Sequence, residues 1–156
     1  MRILYLHGLY SKPGGTKPTF LQGRGYEVLN PALGDEDFAE SVRIAQEAFD
    51  AGRPRVVVGS SRGGAVAMNI DSGTVPLVLV APAWNRWGTA TTVKHQTIVL
   101  HSERDDVVPF ADSRALVEVS GLDPSALVVV GADHNMVDDA ALEALVAAIK
   151  RAGQGA

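Results

Sequence analysis

Gly59-Ser60-Ser61-Arg62-Gly63-Gly64 stands directly after the apolar block Arg55–Val58 and directly before a stretch with helical character. It is a G-x-S-x-G pattern centred on Ser61. A sharp strand-to-helix turn brings backbone too close for side chains at the flanking positions, a demand that Gly59 and Gly63 meet. A Gly-rich turn with two capping serines is the competing reading of these residues. A serine hydroxyl is a poor nucleophile until a base takes its proton, so a histidine is the next requirement. The chain has four histidines. His134 lies in Gly131-Ala132-Asp133-His134-Asn135, just after the last apolar block. A loop there opens on the same sheet edge as the serine turn, which makes His134 the geometric favourite for the base. His7 ends the first block, and His95 and His101 are expected to lie outside a triad of nucleophile, base and acid. The base in turn needs a carboxylate, and Asp105-Asp106-Val107-Val108-Pro109 supplies two candidates after the fifth block. The chain order is then nucleophile Ser61, acid Asp105, base His134.

Acyl transfer builds negative charge on a carbonyl oxygen, and two preorganised N–H donors answer it. The backbone N–H of Arg62 and that of Leu9, after His7-Gly8, are the candidates for this oxyanion hole. Gly8 would let its loop pass close to the serine turn. His7, Gly8, Tyr10, Trp84 and Trp87 are candidate walls of a substrate pocket, although tryptophans are also common core anchors. The Arg62 side chain is expected to pair with a carboxylate or to point to water.

The elements that must position these residues are legible as alternating patterns. Ile3–Leu6, Arg55–Val58, Val75–Ala81, Thr97–Leu100 and Leu127–Val130 are short continuous apolar blocks, with Tyr26–Leu29 a weaker sixth. Such blocks suit strands buried on both faces, as in parallel sheets. Between them Asp37–Ala51, Ala65–Ile70, Asp112–Val119 and Asp138–Ile149 carry helical spacing. Strand and helix alternate, which predicts an α/β three-layer sandwich. One domain over 1–150 and a flexible tail over 151–156 are expected.

Composition narrows the function classes. A net charge of −4 disfavours a protein built to grip nucleic acid or an anionic membrane. The chain contains no Cys, which removes disulfides, thiolate metal sites and a cysteine nucleophile. No apolar run approaches the ~20 residues that span a bilayer, and no signal peptide is recognisable. A soluble, cytoplasmic protein is expected; the oligomeric state is left open.

Taken together, Tyr5-Leu6-His7-Gly8-Leu9 with Ser11, Pro13 and Thr16-Lys17, then Gly59–Gly64, Asp105–Pro109 and Gly131–His134, resemble the α/β-hydrolase superfamily. Nearly the whole chain takes part, and the pattern is similar to the compact, capless YqiA-type esterases. The resemblance implies a minimal α/β-hydrolase fold of about six parallel strands in the order 2-1-3-4-5-6, without the first antiparallel hairpin of larger relatives. It places the acid at Asp105, which opens an Asp-x-Val-Val-Pro run, rather than at Asp106. The implied activity is hydrolysis of small carboxylic esters or thioesters through an acyl-enzyme on Ser61, without a metal or organic cofactor. Two other classes stay open: a non-catalytic partner- or ligand-binding protein on the same scaffold, and a phosphate or nucleotide site at Gly59–Gly64 in a flavodoxin-like sheet. The lack of a G-x-G-x-x-G spacing, or of Lys after the glycines, weighs against the last.

Overall fold

The computed structural model describes residues 1–155. In chain order the strands are β1 (Arg2–Leu6), β2 (Glu27–Leu29), β3 (Val56–Ser60), β4 (Leu77–Val80), β5 (Thr97–His101) and β6 (Leu127–Val129). The helices are α1 (Thr16–Gly23), α2 (Phe38–Gly52), α3 (Arg62–Asn69), α4 (Phe110–Val119) and α5 (Asp139–Gln154), with one 3₁₀ turn over Pro124–Ala126. The six strands form one parallel sheet in the order β2-β1-β3-β4-β5-β6.

Side chains alternate across a strand, so a continuous apolar block feeds both faces of the sheet. Ile3, Tyr5, Val56, Val58, Val78, Val80 and Leu100 pack on one face against Leu21 of α1 and Leu145 and Ile149 of α5. Leu4, Leu6, Val57, Leu77, Leu79 and Val99 pack on the other against Ala45 of α2, Val66 of α3 and Leu116 of α4. Each fully buried Leu or Val contributes about 1.5–3 kcal/mol over exposure, so two covered faces are what make a sheet without edge closure stable. The result is the three-layer sandwich that the alternation predicts.

Helix starts follow their caps. The Asp37 carboxylate accepts the Glu40 N–H at 3.1 Å to begin α2, and Asp138 accepts the Ala141 N–H to begin α5. Two features differ from the sequence reading. Helix α1 has no counterpart there, because its eight residues include Pro18. Proline is tolerated in a first turn, where N–H groups have no helical acceptor. The expected loose tail over 151–156 is corrected: α5 runs on to Gln154, because Ala152 is buried and Gly153 lies against Met1 and Val56. Ala156 lies outside the described residues.

Strand registers set the carboxyl ends level. Leu6 pairs with Gly59, Ser60 with Val80, Val80 with Leu100, and His101 with Val129. The loops after β1, β3, β5 and β6 therefore open on one edge. All the candidate reacting residues lie there.

Candidate active site

Ser61 occupies the corner between β3 and α3 with φ +56° and ψ −118°. A non-glycine residue in that region carries roughly 1–3 kcal/mol of backbone strain, held by the surrounding structure. The corner is braced: the Ser61 N–H donates to the Val80 carbonyl, and the Ser61 carbonyl accepts the Ala83 N–H, each at 2.9 Å. Glycine is required on both sides. A Cβ on Gly59 would run into the Gly63 carbonyl, and one on Gly63 into the carbonyls of Leu6 and His7. Gly8 comes close to the same corner, since a Cβ there would stand 3.3 Å from the Ser61 Cβ.

The Ser61 Oγ lies 3.0 Å from His134 Nε2, and His134 Nδ1 lies 2.7 Å from Asp105 Oδ2. These three side chains come from the loops after β3, β6 and β5. With the carboxylate at Nδ1, the ring proton sits there, leaving Nε2 to accept from the serine hydroxyl. The Asp105 side chain is wholly buried and that of His134 is 17% exposed. Burial pushes the Asp105 carboxyl up, but hydrogen bonds from His134 and from the Val108 and Val107 N–H groups outweigh it, leaving it below its ordinary value. Asp106, by contrast, is exposed.

Asp105 has a fourth donor that the sequence reading missed. His101 is fully buried at the end of β5, with Nε2 2.9 Å from Asp105 Oδ2 and 3.1 Å from the Val108 carbonyl. Its Nδ1 stands 2.6 Å from the Ser113 Oγ. Two acceptors face Nε2, so the proton is on Nε2 and the Ser113 hydroxyl donates to Nδ1. Burial lowers the His101 pKa despite the neighbouring carboxylate, which keeps the ring neutral at neutral pH. The signal was the four-residue spacing from His101 to Asp105 across a tight loop. His101 thus contacts Asp105 without joining the chain of Ser61, His134 and Asp105; His95 is exposed in the β4–β5 connection.

The His134 loop is held from several sides. Asp133 Oδ1 accepts the N–H groups of Asn135 and Met136, and Ser102 Oγ donates to the Gly131 carbonyl at 2.8 Å. Met136, at φ +53°, buries its side chain in the core against Gly131. Lys17 of α1 donates from Nζ to the Asn135 carbonyl at 2.6 Å.

The loop after β1 supplies the opposite wall. His7 Nε2 accepts the Leu33 N–H at 3.0 Å, so its proton is on Nδ1, which donates to the Gly8 carbonyl at 2.9 Å. That pins the loop carrying Leu9. Arg62 is the first residue of α3, and neither its N–H nor that of Leu9 has an acceptor among the described residues. A cavity of about 430 Å³ lies between these loops and is lined by His7, Gly8, Leu9, Lys17, Ser61 and His134 among others.

Three expected pocket walls are elsewhere. Tyr10 is 85% exposed and turned away from the cavity, with its N–H donated to Asp35. Trp84 packs in the core beneath α4 and donates its Nε1–H to the Asp112 carbonyl. Trp87 stacks on Phe38 at 6.0 Å. Among the described residues the Arg62 guanidinium pairs with no carboxylate, and the side chain is not exposed. It is buried between the Phe38 and Trp87 rings, 5.4 and 4.9 Å from their centroids, with Nη1 donating to Ser41 and Gly34. Attraction to the ring faces offsets part of its desolvation. Sequence shows an aromatic near a loop but not which side of the sheet it serves.

Among the described residues no group of three or more His, Asp or Glu is arranged to hold a metal ion, and no helix is long and apolar enough to cross a membrane.

No protein-family model and no curated protein matches the chain. Solved structures do. A protein of the alpha/beta superfamily from Xanthomonas campestris pv. campestris is 20% identical with a TM-score of 0.78, covering 99% of this chain and 98% of its own. Alpha/beta hydrolase domain-containing protein 10 from mouse is 15% identical with a TM-score of 0.74, over 96% of this chain and 88% of its own. An alpha-beta serine hydrolase homologue from Coxiella burnetii is 17% identical with a TM-score of 0.69, over 96% and 83%. The chain has the α/β-hydrolase fold.

Proposed function

On that fold, we propose that the protein is a serine hydrolase that cleaves small carboxylic esters or thioesters through an acyl-enzyme. One observation carries the reading: the continuous path from Ser61 Oγ to His134 Nε2 and from His134 Nδ1 to Asp105 Oδ2, at 3.0 and 2.7 Å. A binding protein has no need of a strained serine aligned with a base and a buried acid. The motif-level resemblance to YqiA-type esterases supports the same class.

Ser61 Oγ attacks the substrate carbonyl carbon while its proton passes to His134 Nε2. The carbonyl oxygen, now anionic, takes hydrogen bonds from the Leu9 and Arg62 N–H groups. Asp105 holds the Nδ1–H and offsets the imidazolium charge. The carbon–oxygen or carbon–sulfur bond then breaks, and His134 returns the proton to the leaving alcohol or thiol. In the second half, His134 takes a proton from water, whose oxygen attacks the acyl-enzyme. The acid leaves and Ser61 recovers its proton.

The test is turnover of graded p-nitrophenyl esters and acyl thioesters by the purified protein and by His134→Ala. Replacing the base should lower kcat by roughly 10⁴-fold, as for other triads. Equal turnover by the two proteins would remove His134 from the mechanism.

A further inference from the structure

We infer that the cavity beside Ser61 selects substrates carrying an anionic group, a carboxylate or a phosphate, close to the scissile ester or thioester. This rests on the hydrolase reading and names its substrate class. The chain has a net charge of −4 and only four lysines, yet the side chains that line this cavity include Lys12 and Lys17 and no Asp or Glu. His134 lines it as well.

Lys17 carries most of the argument. It is about nine-tenths buried, and its ammonium donates to one neutral acceptor, the Asn135 carbonyl. An ammonium has three donors, and none of those of Lys17 forms a salt bridge among the described residues. Taking a cation out of water with so little in return is costly, and proteins usually pair such groups. Asp133, an opposing charge that Lys17 feels without forming a salt bridge, has one carboxylate oxygen committed to the Asn135 and Met136 N–H groups. A cation buried in the wall of the cavity that Ser61 also lines finds a partner in an anion that arrives with the substrate.

The surroundings agree. The first turn of α1 lines the same cavity through Thr16, Lys17 and Pro18, and a helix start adds positive potential. Lys12 is exposed at the rim, where it can draw an anion inward. A volume of about 430 Å³ has room for a small ester together with its anionic group.

The experiment compares matched esters. Monomethyl glutarate places the charge on the acyl side, with dimethyl glutarate as its neutral match. On the leaving-group side, 4-acetoxybenzoate and its methyl ester do the same, and 4-acetoxyphenyl phosphate separates phosphate from carboxylate. Wild type should favour the anionic member of at least one pair in kcat/KM by about tenfold or more, the scale of one hydrogen bond to a charged group. Lys17→Gln should bring that ratio towards unity, and Lys12→Gln, at an exposed position, should lower it if the first variant fails to fold. Equal use of charged and neutral esters by wild type, or a ratio unchanged in both variants, overturns the inference. Calorimetric titration of Ser61→Ala with monomethyl glutarate separates the two readings. Binding to Ser61→Ala that the added Lys17→Gln change abolishes, together with a wild-type protein that hydrolyses no ester, would sink the hydrolase reading and leave the anion site standing. Brisk hydrolysis without anion preference would do the reverse.

Discussion

His101 Nε2 lies 2.9 Å from Oδ2 of Asp105, the oxygen that also meets His134 Nδ1 at 2.7 Å. The other carboxylate oxygen accepts the Val107 and Val108 N–H groups, each at 2.8 Å. Four donors thus fix the acid in place and keep it ionised, and His101 acts on His134 through it. His101→Phe removes one of the four. The expected result is a kcat lower by about tenfold or more, because a hydrogen bond to a charged group is worth ~1.5–3 kcal/mol. KM should move little, since His101 does not line the cavity. A kcat within about twofold of wild type, in steady-state kinetics on a folded variant, contradicts the positioning role.

The strain at Ser61 has its own measurement. At φ +56° a Cβ is unwelcome, and glycine removes it. Ser61→Gly should therefore be more stable than Ser61→Ala by about 1 kcal/mol in chemical denaturation, with both inactive on esters. A more stable alanine variant would mean that the corner is not strained.

Lys17 gives a pH dependence of stability. Burial pushes its ammonium from the ordinary value of 10.5 down to about 8, with Asp133 opposing. Between those values the unfolded chain binds the extra proton, so this residue makes stability rise as pH rises from about 8 to 10.5. Lys12, His134 and Tyr5 face the same cavity, and burial moves the Tyr5 phenol above its ordinary value. The comparison is consequently wild type against Lys17→Met at each pH. The difference in unfolding free energy should shift in favour of wild type on going from pH 8 to pH 10. A constant difference would show that Lys17 keeps an ordinary pKa.

Much of this arrangement was legible in the sequence because its causes are local. Ile3–Leu6 and Val56–Val58 are continuous apolar runs that suit no half-exposed strand, and Gly59 and Gly63 flank Ser61 because no Cβ fits there. The place of its loop after the last apolar block favoured His134, and the family resemblance, through the run Asp105–Pro109, favoured Asp105 over Asp106. What escaped depends on tertiary packing. Trp84 and Trp87 sit in the right connection but turn to the α4 and α2 sides, and Arg62 turns between the rings of Phe38 and Trp87. Lys17 joins the His134 loop only because α1 and the β6–α5 connection meet, 118 residues apart in sequence. The end of α5 buries Ala152, and Gly153 there leaves no room for a Cβ against Met1, a long-range fit that no local pattern reveals.

The most direct test of the account is covalent labelling by a fluorophosphonate, read by intact mass and peptide mapping. The expected outcome is one adduct per chain on Ser61, absent from Ser61→Ala and strongly slowed in His134→Ala and Asp105→Asn. Asp106→Asn, which alters an exposed side chain away from His134, should label at the wild-type rate. No adduct on the folded wild-type protein, or an adduct on a residue other than Ser61, would contradict the claim that Ser61 is an activated nucleophile.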